Sequence, residues 1–227
     1  MTLLFTTLAE PIGGLPSPPR LSSGFAQFDR ATGGGLPPGT TFLLAGDPGA
    51  GKSTLLLQVA ARVALAQPHT AAYITGEETV EAIQALAVRL SLTAAPVRLA
   101  ATADVPAVLA ALTPCRPKTT FLVIDSIQRM IDPTLRQPAG SLCQMRAVLA
   151  RLIAFAHDTQ ATIAIICHVT KQRSAAGPNE LQHDVDAVFY FEAARQYRLL
   201  RPTKNRFGPT TPETFGVFAM TTAGLIE

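Results

Sequence analysis

Short apolar runs alternate with longer amphipathic stretches along most of this chain. Runs bounded by turn residues predict strands at Thr41–Ala45, Ala71–Thr75, Val97–Ala101, Phe121–Asp125 and Thr162–His168. Between them, helical patterns fall at about 53–66, 79–91, 104–112 and 141–158. In the last, Leu142, Met145, Leu149, Leu152, Ile153 and Ala156 share one face at a period of about 3.6 residues. Strands alternating with helices imply parallel β-α-β units, hence an α/β fold with a mostly parallel sheet covered on both faces. From Asp184 the pattern changes. Strand-like runs at Ala187–Glu192, Arg198–Pro202 and Phe215–Met220 follow one another through turns, which predicts an antiparallel extension at the C-terminal edge.

Residues 1–24 are rich in proline and glycine and read as an extended N-terminal arm. Neither a linker nor an internal repeat interrupts the rest, so residues 25–227 form one expected domain. Of 227 residues, 48% are hydrophobic and 15% charged, the balance of a chain that buries a core. The formal net charge of +3 permits contact with a polyanion without requiring it. The three cysteines, Cys115, Cys143 and Cys167, are widely spaced and form no C-x-x-C pair, so neither a disulfide framework nor a zinc site is expected. Met1–Glu10 lacks the basic and apolar regions of a signal peptide, and no apolar run is long enough to span a bilayer. A cytoplasmic location without membrane contact is the expectation.

Chemistry enters at Gly46-Asp47-Pro48-Gly49-Ala50-Gly51-Lys52-Ser53, a full match to G-x-x-x-x-G-K-[ST], with Thr54 opening the helix behind it. Glycines let the backbone wrap closely around phosphates, and the helix N-terminus offers them partial positive charge. Lys52 is placed to reach the β- and γ-phosphates of ATP, and Ser53 to give an oxygen to Mg²⁺. The same cation needs a carboxylate at a neighbouring strand end, and Asp125 closes the apolar run Phe121–Asp125. Glu77 and Glu78 lie just past another strand; Glu77 is the first choice for the base that orients water, Glu78 the second. The alternative for this pair is a helix first turn, where acids suit the macrodipole. His168 ends a third apolar strand, either as a structural histidine or as a sensor of the γ-phosphate.

Further residues bring in a family. Arg20-Leu21-Ser22-Ser23-Gly24, Phe28-Asp29-Arg30, Gly33-Gly34-Gly35-Leu36 and Gly46-Asp47-Pro48 resemble the ATPase core of bacterial RadA, also called Sms. Val123-Ile124-Asp125-Ser126-Ile127-Gln128, His168-Val169-Thr170-Lys171, Ala176-Gly177-Pro178 and Lys204-Asn205-Arg206-Phe207-Gly208 extend the resemblance over roughly residues 20 to 226. It implies a RecA-like fold and ATP-driven work on single-stranded or branched DNA. RadA proteins are similar to DnaB-type helicases, assemble into rings and promote branch migration in recombination, so a homo-oligomer, hexameric in the ring form, is implied. By position, Lys52, Ser53, Asp125 and Glu77 keep their roles, and His168 becomes the γ-phosphate sensor. Lys204 and Arg206 would reach a neighbouring subunit's nucleotide, Arg206 as an arginine finger.

The same resemblance implies DNA contacts from Lys171 and Arg173, with Arg129 and Arg136 as further candidates in the loop after Asp125. Flexible surface basicity is the alternative for all four. The family's four-cysteine zinc finger has no counterpart before Cys115, and its Lon-like domain has none after the core. The expectation is therefore a stand-alone RadA-like core. The rival reading is a KaiC-like regulatory or assembly ATPase, which shares the glycine-rich loop and paired glutamates but acts through protein partners.

Overall fold

The computed structural model describes residues 19–66, 68–115, 120–169 and 178–227. Nine strands form a single sheet, in the order β3-β2-β4-β5-β1-β6-β7-β8-β9. The five predicted parallel strands are present as β1 (Thr41–Gly46), β2 (Ala71–Thr75), β3 (Arg98–Ala101), β4 (Phe121–Asp125) and β5 (Thr162–His168). The four predicted helices follow as α2 (Lys52–Leu65), α3 (Val80–Arg89), α4 (Val105–Leu112) and α5 (Leu142–Thr159), all within two residues of their expected ends.

The antiparallel edge consists of β7 (Tyr197–Asn205), β8 (Gly216–Thr221) and β9 (Gly224–Ile226). One detail differs from expectation. β6 (Ala187–Ala194) pairs parallel with β1, so it belongs to the parallel set, and the sheet changes polarity only between β6 and β7. The described part of the connection into β6 holds the short α6 (Pro178–Leu181), which is too brief to show a helical period.

Continuous apolar strands are needed here because helices cover both faces. Along β1, Phe42 and Leu44 enter the core beneath α2 and α3, while Leu43 enters the core beneath α4 and α5. The first core also carries a group of rings. Phe42 meets Phe189 edge-on at 5.6 Å, and Phe25 meets Phe218 edge-on at 5.6 Å. Deleting one such buried ring costs about 3–5 kcal/mol.

An unexpected helix, α1 (Ala26–Thr32), lies at the start of the described chain. Its N-cap Phe25 offers no capping side chain. The Asp29 carboxylate instead ties down the chain entering the helix, accepting from Ser23 N at 2.9 Å and Ser22 Oγ at 2.7 Å. Most of the arm assigned to residues 1–24 lies outside the described residues. Among the described residues, no helix is long and apolar enough to cross a membrane.

Candidate nucleotide-binding site

The phosphate loop connects β1 to α2 and sits on the end of β6. A side chain at Gly46 would place its Cβ 2.1 Å from the Phe191 carbonyl, so only glycine fits. At Gly51 the backbone is left-handed (φ 102°) and turns the chain into α2. No side chain caps that helix, which leaves first-turn N–H groups for an anion. Arg198 of β7 donates through Nε to Ala50 O at 3.0 Å and braces the loop from below. The buried Lys52 ammonium donates to Gly46 O and Asp47 O, both at 2.8 Å. Burial lowers its pKa, and the negative charge of Asp125 is the chief opposing influence.

The strand order β2-β4-β5-β1 sets the acidic groups beside this loop. Register pairs Thr75 with Asp125, Gly46 with His168, and Ile124 with Ile165, so β5 and β1 run about two residues beyond the ends of β4 and β2. Asp125 is buried and accepts from the Tyr73 hydroxyl at 2.5 Å. Burial, then the Asp125 charge, push the Tyr73 phenol well above its ordinary range, while a hydrogen bond with Ser53 pulls the other way. Tyr73 thus links Ser53 and Asp125, the two candidate magnesium residues. A hydroxyl and a carboxylate are hard oxygen donors, which fit Mg²⁺.

Glu77 stands next to them. Its Oε1 accepts from Ser126 Oγ at 2.5 Å and lies 3.4 Å from His168 Nε2 and 4.0 Å from Arg129 Nε. The His168 contact is not aligned as a hydrogen bond, and both ring nitrogens are buried with no partner among the described residues. Gln128 holds the His168 backbone, donating to its carbonyl at 3.0 Å and accepting from its N–H at 3.4 Å. The first-turn alternative for the glutamates is set aside by position. Thr79 is the N-cap of α3, its side chain accepting from Ala82 N, so Glu77 and Glu78 precede the helix and Glu81 is its first-turn acid. Glu78 is exposed and faces an open cleft with Glu81 and Thr102.

Lys204 and Arg206 are not part of this group. β7 runs antiparallel to β6, and Asn205 pairs with Ala187 at the entry to β1's neighbour. They therefore lie at the opposite end of the sheet, roughly 17 Å away along a six-residue strand at about 3.3 Å per residue. Lys204 Nζ donates to the carbonyls of Gln182 (2.7 Å), His183 (3.1 Å) and Val185 (2.7 Å). Burial, then the Arg206 charge, lower its pKa. Arg206 pairs with Asp186 at 2.9 Å, and Asp186 also accepts from Thr41 N at 2.9 Å. Arg20 pins the following turn by donating to Phe207 O at 2.9 Å and Gly33 O at 2.7 Å.

Of the candidate DNA residues, Arg129 is at the site's rim and Arg136 is exposed farther along the same loop. That loop is pinned by the buried Gln144, which donates to Asp132 O and Gln137 O. Lys171 and Arg173 lie outside the described residues. The sequence analysis assigns no role to Tyr73, Ser126, Gln128 or Arg198. A tyrosine inside an apolar strand is a usable signal for the first, and the motif at 123–128 contains the next two; Arg198 meets the loop only through the register of β7.

A family model described as an AAA domain matches residues 20–174. The chain is 40% identical over 220 residues to a DNA repair protein RadA from Brucella abortus, and 41% identical over 210 residues to one from Streptococcus pneumoniae. These matches cover 95% and 92% of this chain but 46% and 49% of those proteins, so the chain spans about half the length of the curated relatives it matches. A crystal structure of the RadB recombinase superposes with a TM-score of 0.70, over 91% of this chain and 100% of that one. At 19% identity this likeness concerns the fold, which is RecA-like. The chain belongs to the AAA domain family, and within it resembles the nucleotide-binding cores of the RadA DNA repair proteins.

Proposed function

We propose that this chain is an ATP-hydrolysing core that couples turnover to movement on single-stranded or branched DNA in recombination or repair. The observation that carries this reading is the convergence of Lys52, Asp125, Glu77 and His168 on adjacent strand ends, with Arg206 at the far end of the same sheet. With ATP bound, Lys52 would exchange its loop carbonyls for the β- and γ-phosphates, and Ser53 and Asp125 would hold Mg²⁺. The metal would supply charge neutralisation to the phosphates. Glu77 orients the attacking water, with Glu78 as the alternative base, and His168, whose ring nitrogens have no described partner, senses the γ-phosphate.

Sheet polarity separates Lys204 and Arg206 from their own chain's loop, which supports the reading that they act on a neighbour's nucleotide, in a homo-oligomer such as a hexameric ring. Arg206 is the better finger. It is half-exposed and held by one ion pair, whereas Lys204 is tied to three carbonyls. Lys171, Arg173, Arg129 and Arg136 are the proposed DNA contacts, helicase-like translocation is the proposed work, and the location is cytoplasmic. Similarity to RadA proteins supports this reading over the KaiC-like alternative.

The test is ATP turnover with and without single-stranded DNA across a salt series. Stimulation at low salt that fades as salt rises is expected, since phosphate contacts release counterions. Turnover unaffected by any single-stranded or branched DNA would instead favour a regulator acting on proteins.

A further inference from the structure

Ser126 has no part in the scheme above, yet its side chain makes the best-aligned contact of the proposed base. It is fully buried one residue beyond Asp125. Among the described residues, its hydroxyl gives the one hydrogen bond to the Glu77 carboxylate, at 2.5 Å. Hydroxyl-to-carboxylate bonds of this length are charge-assisted and stronger than neutral ones. The frame around it is rigid. Gly76 N donates to Asp125 O at 2.7 Å, which locks the residue before Glu77 to the residue before Ser126. Arg129 N donates to Ser126 O at 3.0 Å, which closes the turn after β4. By contrast, the Arg129 side chain is 64% exposed and 4.0 Å away, and His168 approaches at an angle unsuited to a hydrogen bond.

We propose that Ser126 is a positioning residue for ATP hydrolysis: its hydroxyl holds Oε1 of Glu77 so that Oε2 is presented to the attacking water. A carboxylate on a flexible side chain otherwise samples several rotamers, and misplacement of a base by a fraction of an ångström lowers the rate without changing substrate affinity. The proposal rests on the reading of Glu77 as the water-orienting base.

A double-mutant cycle tests it, with steady-state ATP turnover and the affinity of a fluorescent ATP analogue measured on each variant. Ser126→Ala is expected to lower kcat about ten-fold, equivalent to about 1.4 kcal/mol, with KM and analogue affinity unchanged. Glu77→Gln is expected to lower kcat by about 10²–10⁴. In the Glu77→Gln background, Ser126→Ala should cost nothing further, because the group it positions is already disabled. An undiminished kcat in Ser126→Ala, lost analogue affinity, or an equal loss in both backgrounds overturns the positioning role. If Glu77→Gln itself turns over normally, the base assignment falls first and the Ser126 role with it.

Discussion

The two ends of the central sheet hold their cations in similar ways but for different ends. At the loop end, Lys52 rests on two carbonyls of the loop that takes phosphates, so a ligand replaces the contacts it displaces. At the far end, Lys204 rests on three carbonyls of the turn at 182–185, which joins α6 to β6. Pulling it away would leave those carbonyls without their donor. Among the described residues, the Arg206 side chain has only the Asp186 carboxylate to exchange. The difference teaches how the proposed function would divide this basic pair: Lys204 is committed to the turn, and Arg206 is the group with less to give up.

The largest effect tests whether the ends belong to different active sites. Arg206→Ala is expected to lower turnover of the assembled protein by about 10³ or more, the usual worth of an arginine finger. Lys52→Ala should be inactive. Mixing the two inactive variants should restore part of the activity, because some neighbouring pairs then combine an intact loop with an intact finger. Mixtures no more active than either variant alone would break the comparison. A smaller effect separates the two lysines. Lys204→Ala should leave ATP-analogue affinity unchanged but lower unfolding stability by about 1–3 kcal/mol, the cost of orphaned carbonyls. Lys52→Ala should instead lose ATP-analogue affinity, whatever its effect on stability. Paired denaturant melts and binding titrations measure both.

The smallest effect concerns the loop that carries Arg129 and Arg136. Hydrogen bonds from Thr134 and Arg151 hold the Asp132 carboxyl below its ordinary value of 3.8. A carboxyl depressed on folding stabilises the protein above the unfolded value, and that contribution is lost as pH falls through the lower, folded one. Asp132→Asn should therefore melt earlier at neutral pH and show a flatter decline in acid, by thermal unfolding between about pH 7 and about pH 3.

These two ends were also unequally legible. The phosphate loop is contiguous, its residues being chemically required at fixed spacing; Asp125 ends one apolar run and Glu77 lies just past another. The parallel order follows from alternating strand and helix patterns. β9 is only three residues long and α1 only seven, too short to show a period. Arg198 under Ala50 depends on the register of β7 against β6, and Gln58 of α2 completes the β9 backbone by bonding Leu225. Those contacts join residues 148 and 167 positions apart, which no local pattern encodes. The Arg20–Phe207 contact is similar: both residues belong to family motifs, and one holds the other's turn.

Strand β1 begins at Thr41, one hydrogen bond from the Asp186 that holds Arg206, and ends at the phosphate loop. Under the proposed function its two termini would present a giving surface and a receiving surface at opposite ends of the sheet. A two-fold axis joins a patch to its own copy, so it could not serve both surfaces unless they lay together. Partners joined giver to receiver make heterologous contacts, which close into a ring when the rotation per step allows and continue as a filament when it does not. The polarity of one six-residue strand therefore restricts which symmetries a working assembly of this chain can have.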